Sequence, residues 1–164
     1  MQKILIISTG GTFNKIYDPI KGDLVIDKTS AAVREIASKW LCSFELMNII
    51  GKDSLAMTNQ DRLELLSIAT RTEYEKIIII HGTDTMHLTA EYLADVEMEK
   101  KIILTGAMVP FSVDPVEATA NLCSALGYMQ LLSANGVYTV MNGLFGSYEK
   151  IMKEKSEGRF VFQR

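Results

Sequence analysis

Five short runs of Ile, Leu and Val recur at fairly regular intervals: KILIIS (3–8), FELMNII (44–50), KIIIIH (76–81), KIILTG (101–106) and GVYTVMN (136–142). Each is apolar almost without interruption, the pattern of a strand covered on both faces, as in a parallel sheet. Between the runs the spacing becomes helical. Residues 29–41 place Ala32, Val33, Ile36 and Trp40 on one stripe. Residues 58–71 open with Thr58 and carry Asp61 three positions on, close to a capping box. Residues 114–132 begin Asp114-Pro115, with Glu117 in the first turn. Strands alternating with helices over short connections predict an α/β fold: a doubly wound, flavodoxin-like parallel sheet of about five strands flanked by helices. Right-handed crossovers make 2-1-3-4-5 the expected strand order. No repeat or linker divides residues 1–164, which read as one domain, and KIMKEKSEGRF (150–160) reads as a polar, mobile segment near its end.

In that order the ligand crevice opens between the first and third strands, at their carboxyl ends. The two most unusual polar turns of the chain fall there. The first strand ends in Thr9-Gly10-Gly11-Thr12, two glycines bracketed by hydroxyls. Such glycines let the backbone approach a ligand, and the amides that follow can donate to an anion or oxyanion. A plain turn is the competing reading. The third strand ends in HGTDTM (81–86), where Asp84 between two threonines needs a donor or water; capping the next helix from Asp84 or Thr85 accounts for part of this pattern.

Composition narrows the chemistry. The chain is 48% hydrophobic and 23% charged, with a net charge of −3 and no block of like charges, so neither nucleic acid nor an anionic membrane is the expected partner. No run approaches membrane-spanning length, and the apolar start is too short for a signal peptide. Cys42 and Cys123, both in apolar surroundings, read as buried reduced thiols, which points to the cytoplasm. The two histidines are His81, for which a structural role is expected, and His87. No His/Cys/Asp cluster has metal-ligand spacing, so neither metal nor cofactor is expected. A threonine hydroxyl activated by a neighbouring Lys or Tyr, with backbone amides at the oxyanion, is the chemistry left.

TGGT after the first strand, HGTDTM after the third and TGAM (105–108) after the fourth, in this order and spacing, resemble the amino-terminal domain of bacterial-type L-asparaginases and the related glutaminases and amidotransferase subunits. The resemblance implies hydrolysis of the side-chain amide of L-asparagine to aspartate and ammonia through an acyl-enzyme. Glutamine is the other substrate it suggests. It makes Thr12 the nucleophile, with Gly11, Gly82 and Thr83 lending backbone to the substrate and oxyanion, and pairs Thr83 and Asp84 with a lysine beyond the fifth strand. Counting on from VMN (140–142) selects Lys153 over Lys150, through a segment where the usual DGR reads FGSYEK. Ser54 in KDSLAMT (52–58) would bind the substrate's α-groups, and Ala107 would offer its carbonyl to the amide. Two positions depart from the family: Ala56 stands where an acidic residue is usual, and Leu24 stands where the flexible loop carries its tyrosine, leaving Tyr17 as the nearest candidate. Residues 13–23 would form the lid. Family members carry a second, carboxy-terminal domain that completes the pocket from a neighbouring subunit, and this sequence stops before it. A naturally short asparaginase closed by another copy, as a homodimer or higher oligomer, a truncated chain and a non-catalytic relic are the alternatives; intact Thr12, Thr83, Asp84 and Lys153 favour the first. A small-molecule binding domain of the same fold, taking an amino acid or nucleotide, is the rival function.

Overall fold

The computed structural model describes residues 3–163. In chain order its elements are β1 (Ile4–Gly10), β2 (Lys15–Asp18), β3 (Asp23–Ile26), α1 (Ala31–Ala37), β4 (Phe44–Lys52), α2 (Asn59–Arg71), β5 (Lys76–Ile80), α3 (Met86–Ala94), β6 (Lys101–Thr105), α4 (Pro115–Leu131), β7 (Gly136–Met141), β8 (Leu144–Ser147), β9 (Ile151–Glu154) and β10 (Arg159–Phe162). The central sheet runs β4-β1-β5-β6-β7-β8. Its first five strands are parallel and have the expected order, while β8 folds back antiparallel on β7 and adds a sixth strand to the five anticipated.

The uninterrupted apolar runs have a simple cause. Successive side chains of a strand point to opposite faces, and both faces are covered. Leu5, Ile7, Ile77, Ile79, Ile102 and Leu104 pack with Leu65 and Ala69 of α2 and with Met86, Ala90 and Leu93 of α3. Ile4, Ile6, Ile78, Ile80 and Ile103 pack with Val33 and Ile36 of α1 and with Ala118, Leu122, Ala125 and Met129 of α4. The helix signals hold as well. Thr58 caps α2, accepting from the Asp61 amide at 3.2 Å while its own amide donates to the Asp61 carboxylate at 2.8 Å. Asp114 accepts from the Val116 amide at the start of α4, with Pro115 at its first position.

Three expectations need correction. Residues 150–160 are not a loose polar segment but largely the β9–β10 hairpin, in which Lys153 pairs with Phe160. Its alternation was masked because only Ile151 and Phe160 join the core, while Lys153, on the same face, is charged and the other Lys and Glu residues are exposed. The thiols are not both buried: Cys42 is half-buried and Cys123 exposed, because the buried stripe of α4 passes through Asn121, Leu122 and Ala125 and leaves position 123 outside. The first helix is also shorter than 29–41, ending at Ala37, with Trp40 packed beyond it against Phe44. No helix among the described residues is long and apolar enough to cross a membrane.

Candidate functional site

Three chain reversals meet at the carboxyl ends of β1, β4 and β5. Gly11 has φ 74° and ψ −179°, a conformation that favours glycine, and it opens a 3-10 turn over Thr12–Asn14. A Cβ on Gly11 would lie 2.6 Å from the Gly82 nitrogen and 2.8 Å from its Cα. A Cβ on Gly82, in turn, would lie 2.6 Å from the Ser54 Cβ and 2.7 Å from its Oγ. The turns can close up because neither glycine carries a side chain at the point of contact. Thr12 and Thr83, each the next residue along, are thereby fixed in neighbouring turns at the crevice the strand order creates. Asn14, nearly fully buried, donates to Ser8 Oγ at 3.0 Å and to the Gly10 carbonyl at 3.1 Å, stiffening the first turn from beneath.

Two hydroxyls here have no hydrogen-bond partner among the described residues. The Thr12 side chain is half-buried, and Ser54 is 1% exposed with its Oγ unmatched. Buried polar atoms ordinarily find partners, so Ser54 Oγ, like Asn14 Oδ1, retains the capacity to bond a ligand or water.

Lys153 reaches this place from β9. Its Nζ donates to Thr83 Oγ1 at 2.8 Å and to Asp84 Oδ1 at 2.9 Å. Lys150 is exposed, and its carbonyl is engaged by the Gln163 amide. Neither Asp84 nor Thr85 caps α3 through its side chain, so the capping reading of this turn is set aside. Thr85 occupies the cap position but sends its hydroxyl to the Ser54 carbonyl at 2.9 Å. His81, fully buried, makes contacts through both ring nitrogens, to the Gly82 carbonyl at 2.7 Å and to Thr89 Oγ1 at 2.8 Å, in keeping with a structural role. Burial pushes its pKa down to about 4.

The turn after β6 is held from α4. Both Glu117 carboxylate oxygens accept at 3.0 Å, from the Met108 and Val109 amides, and Asn121 donates to the Gly106 carbonyl at 2.9 Å. Ala107, fully buried, belongs to the same apolar cluster as Phe13. Tyr17 stands apart: it is 63% exposed in the middle of the β2–β3 hairpin, without a bond to the other candidate residues. Directly opposite it in the antiparallel pair is Leu24, so the two side chains share one face of the hairpin. The residues expected as a lid are this hairpin, tied at its base where Ser112 Oγ donates to the Lys15 carbonyl at 2.6 Å.

Asp53 and Lys15 escaped the sequence reading. Asp53 starts the turn that carries Ser54 and accepts from Lys15 Nζ at 2.9 Å. The Lys15 hydrogen bond holds the Asp53 carboxyl below its usual range against the opposing effect of burial, and the charge of Lys153 adds to it. The signal lay in the sequence as an acid directly before Ser54. Its partner, 38 positions away, did not.

Glycine-cornered turns, hydroxyls and a partly buried ammonium are gathered over the switch point of a doubly wound α/β sheet. The family model "Asparaginase, N-terminal" matches residues 3–164, and the chain belongs to the asparaginase family. It is 27% identical to a glutaminase-asparaginase of Pseudomonas aeruginosa over 83% of this chain and 40% of that one. It is 32% identical to a glutamyl-tRNA(Gln) amidotransferase subunit of Methanococcus vannielii over 87% of this chain and 35% of that one. In fold it superposes on the thermostable L-asparaginase from Thermococcus kodakarensis with a TM-score of 0.84 at 24% identity, covering 98% of this chain and 51% of that one. The chain thus spans about half or less of the length of these relatives.

Proposed function

We propose that the protein is an amidohydrolase that releases ammonia from the side-chain amide of L-asparagine, with glutamine as the nearest alternative substrate. The observation that carries this reading is the Lys153 ammonium bound to both Thr83 and Asp84, in the turn against which the Gly11–Thr12 turn packs through Gly11 and Gly82. Thr12 Oγ attacks the carboxamide carbon, forming the C–O bond of an acyl-enzyme. The proton leaving Thr12 is delivered to the departing nitrogen, which leaves as ammonia, while the Lys153–Asp84 pair balances the charge that develops. Backbone amides near Gly11, Gly82 and Thr83 hold the oxyanion. Water then cleaves the ester, giving aspartate and restoring the threonine. Ser54 Oγ receives the substrate's α-groups, the Ala107 carbonyl receives its amide, and Tyr17, across the hairpin from Leu24, serves as the loop tyrosine. No metal or cofactor takes part.

The crevice of this domain is closed by a second copy of the protein, most simply in a twofold homodimer. Two unbonded cysteines suit a reducing cytoplasm. The test is ammonia release from asparagine and glutamine, side by side, at several protein concentrations. Thr12→Ala is expected to abolish release while leaving the fold intact. Turnover by that variant at the wild-type level removes Thr12 from the mechanism. Nucleotide or amino-acid binding by calorimetry without any release, at every concentration, favours the non-catalytic domain instead.

A further inference from the structure

Arg62 of α2 is a buried charge that no carboxylate meets. It is 6% exposed and belongs to none of the ion pairs among the described residues. Its nitrogens donate to neutral oxygens: Nε to Thr89 Oγ1 at 3.0 Å, Nη1 to Asn59 Oδ1 at 3.4 Å and Nη2 to Thr85 Oγ1 at 3.3 Å. Taking an ion out of water costs several kcal/mol unless oriented groups replace the lost hydration, so these hydroxyl dipoles are held firmly by the charge they face.

The direction of every proton follows. The Gly82 carbonyl can only accept, so His81 Nδ1 carries the hydrogen. The buried ring is neutral at ordinary pH, which leaves Nε2 bare to accept from the Thr89 hydroxyl, and Thr89 Oγ1 in turn accepts from Arg62. On a second branch the Ser54 carbonyl accepts from the Thr85 hydroxyl, whose oxygen accepts from Arg62 Nη2. Both chains therefore run outward from one guanidinium to carbonyls on two sides of the crevice. Hydrogen bonds in series strengthen one another by about 10–30% each. A carbonyl that accepts strongly makes the N–H of the same peptide a better donor, and the N–H across from the Gly82 carbonyl belongs to Thr83.

Resting on the hydrolase reading above, we propose that Arg62 is a positioning residue acting through two threonines. By way of Thr89 and His81 it orients and polarises the Gly82–Thr83 peptide for the oxyanion, and by way of Thr85 it fixes the Ser54 turn for the substrate. The two branches should separate in kinetics. Thr89→Val removes one hydroxyl at nearly constant volume. Losing an oxyanion donor outright costs about a hundredfold to a thousandfold; weakening one should lower kcat for ammonia release roughly three- to tenfold, with KM within about twofold. Thr85→Val should raise KM by a similar factor with kcat nearly unchanged. Arg62→Met should do both, and Thr89→Ser and Thr85→Ser should restore each value.

Nitrogen and amide-proton NMR of the same proteins reads the relay without turnover. In Thr89→Val the His81 Nε2 resonance should shift and the Thr83 amide proton should move upfield; in Thr85→Val both should stay. If wild-type protein releases no ammonia while these resonances move as stated, the hydrolase reading fails and the relay stands. If ammonia is released but the Thr83 amide is indifferent to Thr89→Val, or the two valine variants lose kcat and KM alike, the positioning role of Arg62 is overturned.

Discussion

Gly82→Ala isolates the close approach on which the crevice rests. Gly82 does not need a positive φ, so an alanine there carries no backbone penalty, and its whole effect is steric. The added methyl lies 2.6 Å from Ser54 Cβ, 2.7 Å from its Oγ and 2.9 Å from its nitrogen, and each contact must open to the 3.4 Å at which ordinary van der Waals contact begins. Overpacking of this kind costs about 1–3 kcal/mol, which for a chain of this size lowers Tm by roughly 3–10 °C. Displacement of several tenths of an ångström at Ser54 also moves the substrate-binding hydroxyl, and a misplacement near 1 Å can cost about a hundredfold in rate. The assay is a urea or thermal melt beside an ammonia-release measurement, on Gly82→Ala, Ser54→Gly and the double variant. Removing the Ser54 side chain eliminates the two shortest contacts, so the double variant should recover much of the stability lost in Gly82→Ala without recovering activity. Strictly additive losses would refute the packing of these two turns against each other.

Lys153→Met should reduce ammonia release by about a hundredfold or more while costing under about 1 kcal/mol of stability, since the Asp84 side chain is 36% exposed and water can replace the lost ammonium; a large stability loss with activity intact reverses its assignment. His81 predicts an acid-side stability loss: burial favours its neutral form, so as pH falls the unfolded chain binds the proton first, near 6.5, and the folded chain only near 4. Stability is full above about pH 6.5, declines by about 3 kcal/mol on the way to pH 4 and levels off below it. Urea titrations of wild type and His81→Asn at intervals from pH 7 to 4 should show a steeper decline in the first than in the second, where His87 and the paired carboxyls still contribute; equal slopes would place the His81 ring in contact with water.

Local pattern carried much of the architecture. Period-two burial on both faces wrote the five parallel strands as continuous Ile-rich runs, and their alternation with amphipathic helices left few topologies, so the order of β4, β1, β5, β6 and β7 was legible. So were the Thr58 and Asp114 caps, because a cap is settled within four residues. The hairpin carrying Lys153 was not, since two four-residue strands with one core side chain each among charges resemble a surface loop, and their strand character comes from packing against a core built elsewhere.

By itself, the sequence determined the layered fold and the pairing of two hydroxyl-rich turns at the switch point, because strand period, crossover handedness and glycine spacing are local or topological quantities. Only the tertiary structure decided which groups face one another: Lys15 with Asp53, Lys153 with Thr83 and Asp84, and Arg62 with Thr85 and Thr89. Contacts across 23 to 70 positions depend on the angle and depth at which separately folded pieces dock, and no run of neighbouring residues encodes that geometry.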